Sequence, residues 1–498
     1  MARSEIMRQT GAWKYIPWYR QLILGIISIT ICYGAYSVLG IAGEFLIIIL
    51  PPVLFAGIYL LLNPKLCVEM GLILSFFATG MARYVKAPWG LFIDVLLALG
   101  WIGLLVKGGL RKQDWSPIKN DINQVATVWF VLVLLELANP EAPGPVAWFY
   151  AMRAIGFYQI LGFSLIFMMY RDPKDLDRFL KTIMIISILG TLWGLRQKII
   201  GVDSAEWRWL YIEGKHEEHV LFGVLRVFSF YSDAGQFGAS QAMMTLISGV
   251  IIISPTTLKE KLFYLVVAVI TFIGFGISGT RGALAVPGIG AILYLVLSKN
   301  FKILVPGLLF VGLIYYLLKY TLVMEDVEQV ARMRTALDPD NESLRVRIEN
   351  QRNFAKHLNS RPFGGGVGSA GFWGLKFNKG SPLTMPTDSW YVRIWAETGV
   401  VGVCMHMFML LYFLGKGCVI VWFLKDPVLK NKISGFLGSY AGILFANYGN
   451  QVYGQIPTSM IFIIAIPMME MAPMYEKIIQ ERKEEAEKEK EKLLEESL

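Results

Sequence analysis

The chain has 498 residues, of which 55% are hydrophobic and only 17% are charged, whereas roughly a quarter of the residues in a typical soluble domain are charged. This composition excludes an ordinary soluble globular protein and, with its recurring long apolar runs, predicts a polytopic membrane protein. For a membrane protein with a net charge of +9, the first question is on which side of the bilayer the Lys and Arg residues lie. We expect no nucleic-acid partner.

The cysteines give no sign of a disulfide framework or a zinc site. All of them lie inside apolar segments and none belongs to a CxxC pair; they are Cys32, Cys67, Cys404 and Cys418. They are interpreted as small core or lipid-facing residues.

Apolar runs of nearly membrane-spanning length follow one another along most of the chain. The first follows a basic stretch and is interpreted as an uncleaved span rather than a signal peptide. The predicted spans lie near 22–38, 45–62, 67–83, 88–106, 121–138, 148–170, 177–196, 236–254, 261–278, 283–298, 303–320, 402–424, 433–448 and 457–473. The sequence thus predicts an all-α transmembrane bundle of about twelve to fourteen spans.

The charge of the connections predicts the orientation of the bundle. With a cytoplasmic N-terminus, Lys and Arg collect in the inner connections, whereas the outer connections at 139–147 and 449–456 contain neither. This asymmetry predicts that both termini lie in the cytoplasm.

Two outer segments, about 197–235 and 321–386, are too long for simple connections between helices, and long loops of this kind are usually functional. The second predicts a helix from Leu344 to Leu358, followed by a glycine-rich stretch. The predicted organisation is an N-terminal transmembrane bundle (1–200), central spans (201–320), an extracytoplasmic loop with helices (321–401), C-terminal spans (402–474) and a charged cytoplasmic tail (475–498).

Arginines at the predicted outer boundary are the first candidates for function. Arg226 precedes the span near 236, and Arg281 stands at the outer end of the span near 283. Either alone is explained by interfacial anchoring, but two guanidinium groups at one boundary also suit a phosphate or carboxylate. A third arginine comes from the outer loop, where a helix would place Arg345 and Arg352 on one face and Arg347 on another.

Asp388 is the candidate carboxylate, in the stretch TDSWYVRIWAETGVVG at 387–402. Near the membrane surface, it could take a proton from an incoming hydroxyl while arginines hold an anionic substrate. The alternative is a helix cap, since Thr387, Asp388 and Ser389 begin a predicted helix and Asp is a preferred capping residue.

A metal site is only weakly indicated. His216 and His219 in KHEEH have helical spacing but lack a further ligand nearby, and an exposed polar loop explains them better. No nucleotide-binding signature is present, so no cofactor and no metal are expected.

The order of these motifs resembles the O-antigen ligase and polymerase superfamily of bacterial envelope glycosyltransferases, over roughly residues 220–420. Arg226 precedes a span, SGTR ends in Arg281, and the loop arginine Arg347 leads to PFGGG at 362–366. Asp388 and Ser389 precede GVVG at 399–402 by the family's spacing, with Asp where members carry His.

The resemblance implies a GT-C-like membrane enzyme that takes an undecaprenyl-diphosphate-linked glycan as donor at the outer face. It implies that Arg226, Arg281 and Arg347 bind the diphosphate without a metal and that Asp388 acts as base, with inversion at the sugar. Acceptor or sugar contacts are expected from Ser389, Trp390, Tyr391 and Arg393. The acceptor would be a glycan, a lipid or a protein, and chain-length-regulating or export proteins are candidate partners.

Asp in place of His leaves three roles open for Asp388. A carboxylate is a weak base towards a sugar hydroxyl, and burial and neighbouring arginines change its basicity in opposite directions. It could be a base, an acceptor that orients the hydroxyl, or only a cap.

Two other classes of protein fit parts of the sequence. A flippase or transporter would also have many spans, but transporters often show repeats and ionisable groups at the midplane, whereas this chain gathers charge at one boundary. A structural component of an export complex would need none of the arginines.

Overall fold

The computed structural model describes residues 26–28, 30, 33–34, 36–37, 40–109, 113–221, 223–323, 325–326, 328–335 and 342–497. Within these ranges the chain is helical almost throughout, which confirms the predicted all-α class. The first half contains α1 (Ile41–Leu62), α2 (Pro64–Tyr84), α3 (Trp89–Gly109), α4 (Asp121–Leu135), α5 (Pro145–Met152), α6 (Tyr158–Met169) and α7 (Pro173–Ile199). The second half contains α8 (Ala234–Ile252), α9 (Leu258–Ser278), α10 (Ala285–Leu297), α11 (Phe301–Tyr320), α12 (Glu328–Arg334), α13 (Glu342–Leu358), α14 (Gly371–Phe377), α15 (Trp390–Phe423), α16 (Pro427–Ala446), α17 (Thr458–Glu470) and α18 (Ala472–Ser497).

Short elements fill some of the connections. Helical turns lie at Ser116–Ile118, Glu136–Ala138, Arg153–Phe157, Ser204–Trp207, Arg208–Ile212, His216–His219, Arg281–Leu284 and Pro382–Thr384. The two strands, Val220–Leu221 and Val224–Leu225, pair antiparallel as a small hairpin.

The helices confirm a polytopic membrane protein. In the described ranges, eight helices are long and apolar enough to cross a membrane, or nine if the pair α17 and α18, bent by 60°, counts as one span. This is fewer than the predicted twelve to fourteen. Every predicted span after the first nevertheless coincides with a helix, and most of the first, 22–38, lies outside the described residues.

Helix α8 shows why the two counts differ. It contacts α9, α10 and α16 and is buried almost all round, including its polar side chains. Gln236 donates to Thr458 Oγ1 at 2.7 Å, and Gln241 donates to the Tyr231 hydroxyl at 3.2 Å. Because these groups find partners inside the bundle, a helix of modest hydropathy can lie at its centre.

Helix α15 begins before the predicted span at 402–424 and contains a break. At Gly399 the backbone has φ 65° and ψ −168°. This break separates a short helical segment, 390–398, from the long apolar part of the helix. The stretch around Arg393 and Glu397 is therefore a helical extension of a span rather than a loop.

The charged tail is largely exposed on α18, as predicted for a solvated helix. Two ion pairs attach it to the connections predicted as cytoplasmic: Arg482 Nη2 lies 2.8 Å from Asp172 Oδ2, and Lys483 Nζ lies 2.7 Å from Asp426 Oδ2. Exposed pairs of this kind contribute little individually, but they place the tail beside both halves of the bundle.

Candidate active site

The segment 226–233, which begins with Arg226, is fixed by buried side chains of α2 and α7. Arg83 donates from Nη1 to the Ser229 carbonyl at 2.7 Å and from Nη2 to the Tyr231 carbonyl. Gln197 accepts from the Ser229 amide at 2.8 Å and donates to the Ser229 carbonyl at 3.2 Å. Ser229 itself has φ +54°, which is uncommon for a residue with a side chain. The segment is thus held in one defined conformation.

Arg226 is partly buried, and its backbone N–H donates to the His219 carbonyl at 2.9 Å. Within the described residues its buried Nε has no hydrogen-bond acceptor. Burial lowers the pKa of Arg226 below its usual range, the positive charge of Arg332 lowers it further, and Asp233 acts in the opposite sense. The guanidinium is therefore a partly desolvated cation with an unsatisfied donor.

Arg281 begins the helical turn that leads into α10. Gly279, with φ +57°, ends α9 in the left-handed region and turns the chain there. The guanidinium of Arg281 donates from Nη1 to Thr335 Oγ1 at 3.1 Å. Burial lowers the pKa of Arg281, and the positive charges of Arg347 and Arg332 lower it further. Because Arg281 in turn lowers the pKa of Arg226, Arg226, Arg281 and Arg347 are electrostatic neighbours.

Helix α13 occupies the predicted position, and its two basic faces diverge as predicted. Arg347 lines a small cleft with Asn350, Gln351, Pro386, Asp388, Ser389 and Val392. Arg345 and Arg352 line an open groove on another face. Arg347 also lies beside Gly449, in the connection between α16 and α17. Its Nη1 is 3.4 Å from the place where a side chain at position 449 would have its Cβ.

Asp388 shares that cleft with Arg347, although the two belong to different elements. Its side chain is exposed, and within the described residues it makes no hydrogen bond or ion pair. Ser389, not Asp388, is the residue before the first turn of α15, and no side chain caps that helix. The capping alternative for Asp388 therefore finds no support, and its carboxylate is available to a ligand.

Several side chains after Asp388 are hydrogen-bonded to the rest of the bundle, although Ser389 also lines the cleft. Ser389 Oγ donates to the Asn447 carbonyl at 3.1 Å, and the fully buried Trp390 donates to His406 Nε2 at 3.0 Å. The Tyr391 hydroxyl donates to the Leu444 carbonyl at 2.6 Å. Arg393 forms an ion pair with the fully buried Glu397 at 3.1 Å. Trp390 exposes no ring face in this structure, and the acceptor or sugar contacts expected of these four residues stay predictions.

The glycine-rich stretch docks on the break in α15. The Gly365 amide donates to the Ala396 carbonyl at 2.9 Å, and the Val401 amide donates to the Pro362 carbonyl at 3.2 Å. A Cβ on Gly399 would lie 2.1 Å from the Pro362 carbonyl oxygen. The PFGGG and GVVG motifs therefore contact each other through their backbones. This contact orients the segment that carries Asp388.

Two residues near the arginines were missed by sequence reasoning. Arg332 on α12 has its Nη1 3.7 Å from a Cβ built on Gly279, and it acts electrostatically on Arg226 and Arg281. The Asn450 amide nitrogen lies 3.1 Å from a Cβ built on Gly282 and 3.3 Å from one on Gly235. Neither residue belongs to a recognisable motif; the only signal for Arg332 was a basic residue in a long outer loop.

The structure corrects the interpretation of KHEEH as an exposed loop. His216 is exposed, but His219 is 2% exposed and lies against Trp209 and Phe228, at ring-centroid distances of 4.8 and 5.2 Å. Among the described residues, no group of three or more His, Cys, Asp or Glu is arranged to hold a metal ion. His219 is thus a packing residue under the Arg226 segment.

The fold and this site define a polytopic helical membrane protein with a group of arginines near the exposed carboxylate of Asp388. Residues 266–407, from α9 into α15, match the family described as O-antigen ligase. A stretch of 193 residues is 28% identical to a protein named O-antigen polymerase from Salmonella muenchen, over 38% of this chain and 46% of that relative. These matches confirm the resemblance of the chain to the O-antigen ligase and polymerase superfamily. Because the match spans less than half of the relative, its name does not by itself give this chain an activity.

Proposed function

We propose that the protein is a glycosyltransferase of the bacterial inner membrane that transfers or polymerises an undecaprenyl-diphosphate-linked oligosaccharide in the biosynthesis of O-antigen, capsule or exopolysaccharide. The proposal includes the orientation inferred from the connections, with the site at the outer face and both termini in the cytoplasm. The relationship to O-antigen ligases and polymerases supports this class of reaction.

The observation that carries the proposal is a group of cations beside a carboxylate. Arg226, Arg281 and Arg347, predicted from three separate motifs, are electrostatic neighbours in the structure, and Arg347 shares a cleft with Asp388. A diphosphate provides negative charge that complements such a group, and guanidinium forks match phosphate oxygens in bidentate geometry.

The chemistry is a displacement at the anomeric carbon of the donor sugar. The acceptor hydroxyl oxygen forms a bond to this carbon while the bond from the carbon to the phosphate oxygen breaks with its electron pair, so that the lipid diphosphate leaves. The acceptor proton goes to the Asp388 carboxylate. Attack opposite the leaving group inverts the anomeric configuration.

The arginines supply the largest electrostatic contribution in this scheme. Negative charge develops on the departing diphosphate, and preorganised cations next to it stabilise the transition state more than the ground state. They provide the positive charge for which other enzymes use a divalent cation, so we propose a metal-independent reaction. Arg393 and Ser389 act here by fixing the segment that carries Asp388.

The test is a transfer assay with purified protein in detergent and EDTA, using lipid extracts that contain diphosphate-linked glycans. We expect product from the wild type and its loss in Arg281→Ala and Asp388→Asn. Arg352→Ala, on the other face of α13 from Arg347, is the matched control and keeps activity. If the wild type makes no product but reconstituted vesicles translocate the lipid-linked glycan, the protein is a flippase instead.

A further inference from the structure

Arg332 is a cation in the donor region that no motif singles out. It lies on α12, which packs against α9 and the turn that begins with Arg281. Its guanidinium reaches the left-handed turn at Gly279, where a Cβ would lie 3.7 Å from Nη1. Helix α12, a short helix of the long outer loop, thereby places the positive charge of Arg332 beside the SGTR motif.

Electrostatic interactions connect the four cations. Arg332 and Arg281 both act on Arg226, and Arg347 and Arg332 both act on Arg281. Like charges held this close repel each other, and the effect is larger where they are withdrawn from water. Such an arrangement is stabilised when an anion binds among the four groups.

Among the described residues, Asp388 shares the cleft of Arg347, and Asp233 acts on Arg226. Asp233 is the carboxylate that opposes the effect on Arg226, but its Oδ1 already accepts from the Gln236 amide and its Oδ2 from Ser232 Oγ. Arg226 Nε and Arg347 Nε are both buried without a hydrogen-bond acceptor among the described residues. Two donors of this cluster are therefore free to bind an acceptor from a ligand.

We propose that Arg332 is a fourth phosphate-binding residue of the donor site. This inference rests on the proposed function. Arg347 lies nearest the bond that breaks, because it shares its cleft with Asp388. Arg332 reaches the same site from α12, since its guanidinium lies at the turn before Arg281, and Thr335, the residue after α12, accepts a hydrogen bond from Arg281 Nη1. Helix α12 thereby closes one side of the donor site.

The inference is tested with two ligands of equal chain length, a polyprenyl diphosphate and a polyprenyl monophosphate. Their affinities are measured by calorimetry on the full-length protein in detergent. Arg332→Ala should weaken the binding of both ligands by roughly tenfold or more, since each loses a charge-assisted contact to phosphate.

Three controls keep the result interpretable. Arg332→Lys retains the charge without the fork and should bind with intermediate affinity, and a melting temperature equal to that of the wild type shows that the variants are folded. Arg352→Ala should bind both ligands as the wild type does. Wild-type affinity of Arg332→Ala for both ligands overturns the inference and leaves the proposed function intact. A wild-type protein that binds neither ligand better than the polyprenyl alcohol overturns the proposed function itself.

Discussion

Arg347 on α13 and Asp388 before α15 line one cleft, so that a cation from the outer loop and an exposed carboxylate meet at the same place. We expect their substitutions to be coupled. Arg347→Ala should raise the KM for the lipid-linked donor, and Asp388→Asn should lower kcat by about 10²-fold or more, as is usual for the loss of a general base. In the double variant the losses should not simply add, because the two groups act on one bound substrate. Steady-state kinetics of the four proteins test this, and strictly additive losses would place the two residues at separate sites.

Gly399 should be essential for the geometry of the site. Its φ of +65° is unfavourable for other residues, and a Cβ would lie 2.1 Å from the Pro362 carbonyl oxygen. Gly399→Ala should therefore lower stability by about 2 kcal/mol or more and abolish transfer. Thermal unfolding in detergent provides the measurement. Gly415→Ala in the same helix is the control, since its Cβ would meet nothing within 4 Å, and it should leave the melting temperature unchanged or slightly raised.

Arg83 should act on catalysis through Arg226 without contacting substrate. It is 4% exposed and donates to two carbonyls of the segment 226–233. Arg83→Met removes the donor to the Tyr231 carbonyl, which costs about 1–3 kcal/mol, and leaves the Ser229 carbonyl with Gln197 as its donor. We expect a lower melting temperature and a weaker affinity for the donor. Lys86→Met removes a nearby cation that is 74% exposed and should change neither quantity; equal effects of the two substitutions would contradict the role of Arg83.

Arg393 should prove to be structural. Its ion pair with Glu397 is buried, so Arg393→Met alone strands a charge and should destabilise the protein by about 3–5 kcal/mol. Adding Glu397→Gln removes the stranded charge and should restore much of the melting temperature. If Arg393 instead bound a sugar directly, the double variant would regain stability without regaining activity.

His219 should make the loop before α8 sensitive to acid. Burial lowers its pKa to about 4, below the ordinary value of about 6.5. Between these values the unfolded chain binds a proton that the folded chain does not, so stability is complete above about pH 6.5 and falls as the pH drops towards 4. The loss amounts to roughly 3 kcal/mol at most. Denaturation experiments across this pH range should show that the free energy of unfolding depends less on pH in His219→Phe than in the wild type. His216 is exposed, so His216→Gln should follow the wild type.

The sequence by itself determined the properties that are local along the chain. Apolar runs of spanning length specify helices because a bilayer requires satisfied backbone hydrogen bonds, and each predicted span after the first coincides with a helix. The helix at 344–358, the divergence of Arg345 and Arg352 from Arg347, and the candidates Arg226, Arg281 and Asp388 followed from spacing and motifs alone.

Only the tertiary structure decided which of these residues meet. The contact of PFGGG with Gly399, the burial of Trp390 and Arg393, and the position of Arg332 over Gly279 depend on packing between segments that are distant in sequence. The number of spans also depended on packing, since α8 buries polar side chains that find partners in other helices. Periodicity records which face of a helix is apolar, but it carries no information about which neighbour that face will meet, and the site is formed by those neighbours.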